Sequence, residues 1–318
     1  MPAKINTTFN TQHADLVHDV QFDYYGSQLA TCSSDHNVNV FQVSNGEEKL
    51  AAQLQGHTSP VWKISWSHPR FALLASCSYD GAVIVWKQDT EAWTKVKIHK
   101  EHKASVNSVC FYPSSAELCL ACASSDGKIS VLSFDETTLK WSQNIFDAHS
   151  GGVNTVAWLN PKEGQEKTLV SGGCDCTIRF WAAPAGEWKE TGEPIRTHTD
   201  WVCDAEVAPE DIFDTETIAS CGHDKTVFVH KRTAEGWRSA KLQQTFTETV
   251  WRVSWSSART VLAVCCGDGV ISFWKSAKED GEWQRVDETG NVLSKHTAGE
   301  QAGHEKSPVG PASHSQYR

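Results

Sequence analysis

The chain is poor in several things, and each shortage excludes something. Among 318 residues there is one methionine, a shortage that does not suit a helical core. Positive charge is scarce: 29 Lys and Arg face 39 Asp and Glu, a formal charge of −10. That balance argues against phosphate-backbone binding and against adhesion to an anionic membrane face. No apolar run approaches the roughly 18 residues that a spanning helix needs. The opening residues lack the basic-then-apolar pattern of a secretory signal, so a cytosolic chain is expected, with no direct membrane insertion and no nucleic-acid partner.

What the chain has instead is repetition. Six thirteen-residue blocks align without a gap: LATCSSDHNVNVF (29–41), LASCSYDGAVIVW (74–86), LACASSDGKISVL (120–132), LVSGGCDCTIRFW (169–181), IASCGHDKTVFVH (218–230) and LAVCCGDGVISFW (262–274). Each opens on an aliphatic residue, carries Asp seventh, and closes on Trp or a bulky substitute. Units of this kind recurring about every 45 residues are blades of a β-propeller. Fourteen tryptophans suit strands.

Upstream of each block is a His with Val four residues later: His13/Val17, His57/Val61, His102/Val106, His149/Val153 and His198/Val202; the sixth unit has Phe246 before Val250. Segments such as Val61-Trp-Lys-Ile-Ser-Trp66 alternate with period two, as a strand does. Asp-Gly at Asp80, Asp126 and Asp268 marks a hairpin turn. A fourth, polar strand begins near a second Trp in most units. The expectation is an all-β, six-bladed propeller over 1–289, with blades at about 13–55, 57–100, 102–147, 149–196, 198–245 and 246–289. Residues 290–318 read as a disordered tail, since they have almost no periodic apolar content.

The repeated Asp needs donors, because a buried carboxylate is costly without them. Blade 2 supplies His57, Ser76 and Trp86 to Asp80. Blade 4 supplies His149, Ser171 and Trp181 to Asp175. Blade 5 has His198 and Ser220 for Asp224 but closes on His230. Blade 1 closes on Phe41, and blade 3 has Cys122 and Leu132. Blade 6 has Phe246 and Val264. The network should therefore be graded, strongest in blades 2 and 4. Asp–His–Ser sets resemble a catalytic triad, but recurrence in every blade marks a fold device. Convergent catalytic carboxylates near the axis are not expected.

Eleven cysteines invite a metal reading through Cys119-Leu-Ala-Cys122, Cys174-Asp-Cys176 and Cys265-Cys266. However, Cys32, Cys77, Cys221 and Cys265 share one repeat position, three before the Asp, where a small buried residue fits. Adjacent strand residues also face opposite ways. No metal, cofactor or disulfide is expected.

Counting strands leaves a remainder. Trp283-Gln-Arg-Val-Asp287 gives blade 6 its own outer strand, yet Lys4-Ile-Asn-Thr-Thr-Phe-Asn10 precedes His13 as if it were the outer strand of another blade. Either the ring closes as six with a redundant strand, or it stays open for three strands from outside. An open ring leaves edges and apolar faces that a partner must cover.

The sequence resembles the Sec-thirteen family, the small WD-repeat subunit of the COPII outer coat. The phrases that carry the resemblance are Ile5-Asn-Thr7, His18-Asp-Val20, Asp23-Tyr-Tyr-Gly26, Leu29-Ala-Thr-Cys-Ser-Ser-Asp35, Asp200-Trp-Val202 and Val250-Trp-Arg-Val-Ser-Trp255. It implies an open propeller whose seventh blade is completed in trans by an α-solenoid partner. That partner is Sec-thirty-one in the ER-to-Golgi coat and a nucleoporin in the Y-complex of the nuclear pore. Relatives also occur in a coat-like nutrient-signalling complex at lysosomal or vacuolar membranes. The location implied is cytoplasmic, on ER-derived vesicles and exit sites, and at the pore. The expected contacts with the inserted blade are Ile5, Thr7 and Phe9, with the edge strands of blades 1 and 6. Two rivals are a closed adaptor that reads peptides on its face and an enzyme with a site in the channel.

Overall fold

The computed structural model describes residues 9–90, 92–162, 164–210, 215–276 and 282–287. These form six four-stranded antiparallel sheets, each built from four consecutive strands. The first is β1 (Val17–Phe22), β2 (Gln28–Ser33), β3 (Asn37–Ser44) and β4 (Glu47–Gln55). The second is β5 (Val61–Trp66), β6 (Leu73–Ser78), β7 (Val83–Gln88) and β8 (Trp93–His99). The third is β9 (Val106–Phe111), β10 (Leu118–Ser124), β11 (Lys128–Asp135) and β12 (Lys140–Asp147). The fourth is β13 (Val153–Trp158), β14 (Thr168–Gly173), β15 (Ile178–Ala182) and β16 (Lys189–Glu190). The fifth is β17 (Val202–Val207), β18 (Thr217–Gly222), β19 (Val227–Thr233) and β20 (Gly236–Lys241). The sixth is β21 (Val250–Trp255), β22 (Leu262–Cys266), β23 (Ile271–Ser276) and β24 (Trp283–Val286). No α-helix occurs among the described residues. The fold is the six-bladed propeller that the repeats imply.

The strands are as the sequence periods dictate. Second strands are buried on both faces, as in Leu73–Ser78, because each lies inside its blade and between blades. Fourth strands alternate or are exposed, as in β4 and β12. The residue after each turn Asp takes a left-handed conformation. Gly81, Gly127 and Gly269 do so without strain, while His36, Cys176 and Lys225 do so at some cost.

The core is distributed among the blade junctions. Ala30, Cys32, Val38 and Val40 of the first blade pack on Val61, Ile64, Leu74, Ile84 and Trp86 of the second. Ala75, Cys77, Val83 and Val85 repeat this against Val106, Val109, Phe111 and Leu120 of the third. Equivalent clusters join blades three to four, four to five and five to six. Inner strands follow the same order, β1 on β5, β5 on β9, β9 on β13, β13 on β17 and β17 on β21. Among the described residues no comparable contact joins β21 to β1.

Candidate partner-binding face between the sixth and first blades

The missing junction is readable residue by residue. On inner strands, the first, fourth and sixth positions face the preceding blade. At the fourth, Ile64, Val109, Val156, Ala205 and Val253 are all buried, whereas Val20 of β1 is 55% exposed. At the first, Val61, Val106, Val153, Val202 and Val250 are 0% exposed, whereas Val17 is exposed. Phe22 is 57% exposed, while its equivalents Phe111, Trp158 and Trp255 are buried. On the opposite wall, Ile271 of β23 is 58% exposed, and its equivalents Val38, Val83, Ile129, Ile178 and Val227 are 0% exposed. Ala263, Cys265 and Phe273 are half-buried there, whereas the matching Ala75, Cys77 and Val85 are sealed. Two apolar walls therefore face each other uncovered. Such walls cost roughly 25 cal/mol per Å² of apolar surface left wet.

Among the described residues, the hydrogen bonds that link neighbouring blades stop at the same place. Asp19 accepts from the Ile64 N–H at 3.1 Å, Ser65 Oγ from Phe111 at 3.0 Å, Ser108 Oγ from Val156 at 3.3 Å, and Asp204 from Val253 at 3.3 Å. Thr155 Oγ1 donates to Asp204 Oδ1 at 2.9 Å, which links blades four and five. The sixth-blade residue at this position is Arg252, and it reaches across the channel, donating to the carbonyl of Trp62 at 3.2 Å.

Of the three N-terminal residues expected to meet a partner, Ile5 and Thr7 lie outside the described residues. Phe9 is described. It is not in a strand, and it packs edge-on against Phe41 with ring centroids 5.3 Å apart. Phe146 on outer strand β12 makes a comparable contact with Trp181 of the next blade, the rings tilted and 5.1 Å apart. Phe9 thus sits where the outer strand of a blade preceding the first would place its aromatic. Asn39 Nδ2 donates to the Thr11 carbonyl at 2.9 Å and fixes the segment further.

The repeated Asp network has the following geometry. In blade 2, His57 Nδ1 donates to Asp80 at 3.2 Å, and Ser76 Oγ bridges His57 Nε2 at 2.8 Å to the Trp86 indole N–H at 2.9 Å. Blade 4 repeats this with His149, Asp175, Ser171 and Trp181 at 2.8, 2.7 and 2.8 Å. In blade 5, His198 meets Asp224 at 3.0 Å and Ser220 at 2.8 Å. His230 Nε2 then takes the indole's place on Ser220 at 2.8 Å, with Ser239 on its other nitrogen at 2.7 Å. Blade 5 is thus as complete as blades 2 and 4, which corrects the grading taken from its closing residue. In blade 1, His13 bridges Asp35 and Thr31 at 2.8 and 2.9 Å.

Blades 3 and 6 recover the lost hydroxyl from the facing strand. Cys122 pairs across β10–β11 with Ser130, and Ser130 Oγ meets His102 Nε2 at 2.9 Å. Val264 pairs across β22–β23 with Ser272, which accepts from the Trp274 indole at 3.0 Å. Burial would raise the Asp224 carboxyl, but hydrogen bonds from His198 and Thr226 overcome this and hold it down to about 2.

The channel contains a group that the sequence reading missed. Asp204 is buried, 3.5 Å from Lys63 Nζ and 4.0 Å from Arg252 Nη1. Burial opposes its ionisation, and those two cations outweigh it. Next to it, burial and then the Asp204 charge push Glu206 up to about 8. Carboxylates therefore do converge near the axis, contrary to expectation. Asp204 is already bonded to Thr155, Val253 and Lys63, however, and Glu206 accepts from the Trp255 N–H at 2.9 Å. The legible signal was a polar third residue in every inner strand: Asp19, Lys63, Ser108, Thr155, Asp204 and Arg252. Cys32, Cys77, Cys122 and Cys221 are buried with thiols pushed above their ordinary range by burial. No group of residues suited to a metal occurs among the described residues.

The model of the WD40 family (WD domain, G-beta repeat) matches residues 4–42, 48–87, 93–132, 140–182 and 240–275. The unmatched stretch contains most of the fifth blade, which closes on His230 in place of Trp. The chain is 42% identical to "Protein transport protein SEC13" of Cryptococcus neoformans, over 87% of this chain and 95% of the relative. The chain belongs to the SEC13 family. Other SEC13 relatives are as similar: "Protein SEC13 homolog" of Drosophila melanogaster at 40% identity, over 89% of this chain and 84% of the relative, and "Protein transport protein sec13" of Emericella nidulans at 39%, over 87% and 96%.

Proposed function

We propose that the chain is a non-catalytic scaffold subunit of the COPII vesicle coat, serving ER-to-Golgi transport, and of the nuclear pore complex. In this reading an α-solenoid partner of the Sec-thirty-one or Y-complex type inserts a β-blade between the sixth and first blades, and the filled ring stiffens that partner. The names of its relatives, protein transport proteins, support the transport role. The observation that carries the reading is the pair of uncovered apolar walls, Val17, Val20 and Phe22 against Ile271 and Phe273. Phe9, stationed against Phe41 like an outer-strand aromatic, supports a seventh blade that is begun by this chain and finished by another. The channel cluster supports a structural role, because its carboxylates are committed to bonds between blades.

The test is co-expression with the β-rich insertion segment of an α-solenoid coat subunit. A one-to-one complex with a raised melting temperature is expected, since a ligand that binds only the folded state stabilises it. Phe22→Asp should abolish the complex while leaving the free chain's melting temperature nearly unchanged, because Phe22 is already in water. Complex formation that is indifferent to Phe22→Asp contradicts the reading.

A further inference from the structure

Apart from the two walls, a second apolar exposure lies on the propeller face that carries the Asp turns, at blades five and six. Trp201 is 48% and Trp251 52% exposed. His223 links them edge-on, 5.3 Å from Trp201 and 5.1 Å from Trp251, so three rings form a continuous strip. Comparison with blade 2 shows what is unusual. Trp62, at the same strand position as Trp251, is half-buried. It packs against His18 and Tyr79 and donates its indole N–H to Ser105 Oγ at 3.0 Å. Where Tyr79 stands in blade 2, blade 6 has Gly267, whose missing Cβ would lie 3.3 Å from the Trp251 indole nitrogen. The glycine leaves that indole uncovered.

The surroundings are acidic. Exposed Asp200 caps the turn into Trp201, accepting its N–H at 2.8 Å, and has no ion pair among the described residues. Asp175, Asp200 and Asp224 act together on this face, adding to burial in raising the Cys176 thiol. At the other end is Glu248, in loose contact with Lys225 at 3.8 Å. Exposed indoles beside an unpaired carboxylate suit a planar cation. A guanidinium stacks on an indole and offers a two-pronged donor set to a carboxylate.

We propose that Trp201, His223 and Trp251, with Asp200, form a docking strip for an extended peptide segment that carries arginine. The strip is separate from the walls between blades six and one, and it remains available when that space is filled. The chemistry excludes acidic segments, which the −10 charge of the chain also disfavours.

The test uses the full chain and a fluorescein-labelled Gly-Arg-Gly-Arg-Gly peptide, followed by anisotropy. Saturable binding is expected, at least tenfold tighter than for the same peptide with citrulline at both arginines, which keeps shape but removes charge. Trp251→Ala and Asp200→Asn should each weaken binding about five- to tenfold. Tyr24→Ala, at a more exposed aromatic elsewhere, should leave it unchanged. All three substituted side chains are exposed, and melting curves of the variants check the fold. Absence of binding, equal affinity for the citrulline peptide, or an equal effect of Tyr24→Ala overturns the proposal. The titration is repeated with the partner's insertion segment bound. Loss of binding there assigns the strip to the blade interface and overturns it as well.

Discussion

Replacing Asp80 by Ala isolates the energetics of the repeated turn. The Asp80 side chain is 8% exposed. It accepts from His57 Nδ1 at 3.2 Å, from the Thr58 N–H at 2.9 Å and from the Ala82 N–H at 2.9 Å. In the alanine variant, Thr58 is exposed and can turn to water. His57 and Ala82 are buried and cannot. Two stranded buried donors at about 1–3 kcal/mol each, partly relaxed, give a loss of roughly 2–4 kcal/mol. Asp80→Asn restores one acceptor and should recover part of it. Asp268 is the internal comparison: it accepts from Thr247 Oγ1 at 2.6 Å and Val270 N at 2.9 Å, all of them exposed. Asp268→Ala should therefore cost distinctly less. Urea unfolding of the three variants, followed by tryptophan fluorescence, reads the difference. Equal losses for Asp80→Ala and Asp268→Ala, or a larger loss at Asp268, would refute the reasoning.

Other outcomes follow from the buried titratable groups and the tail. Burial and then the His198 charge push His230 down to about 3 from its ordinary 6.5. A depressed pKa gives stability that is present above 6.5 and lost as pH falls toward 3, so stability curves of His230→Trp should be flatter than wild type across that window. Glu206 behaves oppositely: its raised pKa gives stability that is complete below 4.5 and lost as pH rises through about 8. Glu206→Gln should match wild type near pH 4 and exceed it in relative stability at pH 9, as read by melts at both values. In the native protein, Cys32, Cys77 and Cys221 should resist a thiol reagent that labels exposed sites, and elemental analysis should find no stoichiometric zinc; about one metal per chain after mild chelation contradicts this. Truncation after Thr289 should leave the melting temperature and the partner complex nearly unchanged, because the removed residues have little apolar periodicity.

The blades were legible because the repeat imposes both the period and the turn. Asp80-Gly81 and the alternation of Val61–Trp66 each specify one local geometry. The network in blades 2 and 4 was legible for the same reason, with His, Ser, Asp and Trp at fixed offsets. Ser130 and Ser272 were not, because they supply a hydroxyl from across the sheet, and a fixed offset along the chain cannot show cross-strand pairing. His230 was misjudged because its role depends on a tautomer and on Ser239, a residue of the next strand. The channel group Lys63, Asp204 and Arg252 comes from three different blades, with a sequence separation of 141 between Lys63 and Asp204. Only ring geometry brings these together. The uncovered walls were anticipated only as a strand count, and Val20 and Ile271 follow ordinary blade patterns in sequence. Their exposure depends on what stands beside them in the ring, which a blade's own sequence does not record.

The most direct test of the central claim is an experimental structure of the full chain bound to the insertion segment of its α-solenoid partner. The account predicts partner strands lying between β1 and the sixth blade, covering Val17, Val20 and Phe22 on one side and Ile271 and Phe273 on the other. A ring sealed by direct contact of the sixth blade with the first, with the partner bound elsewhere, would contradict it.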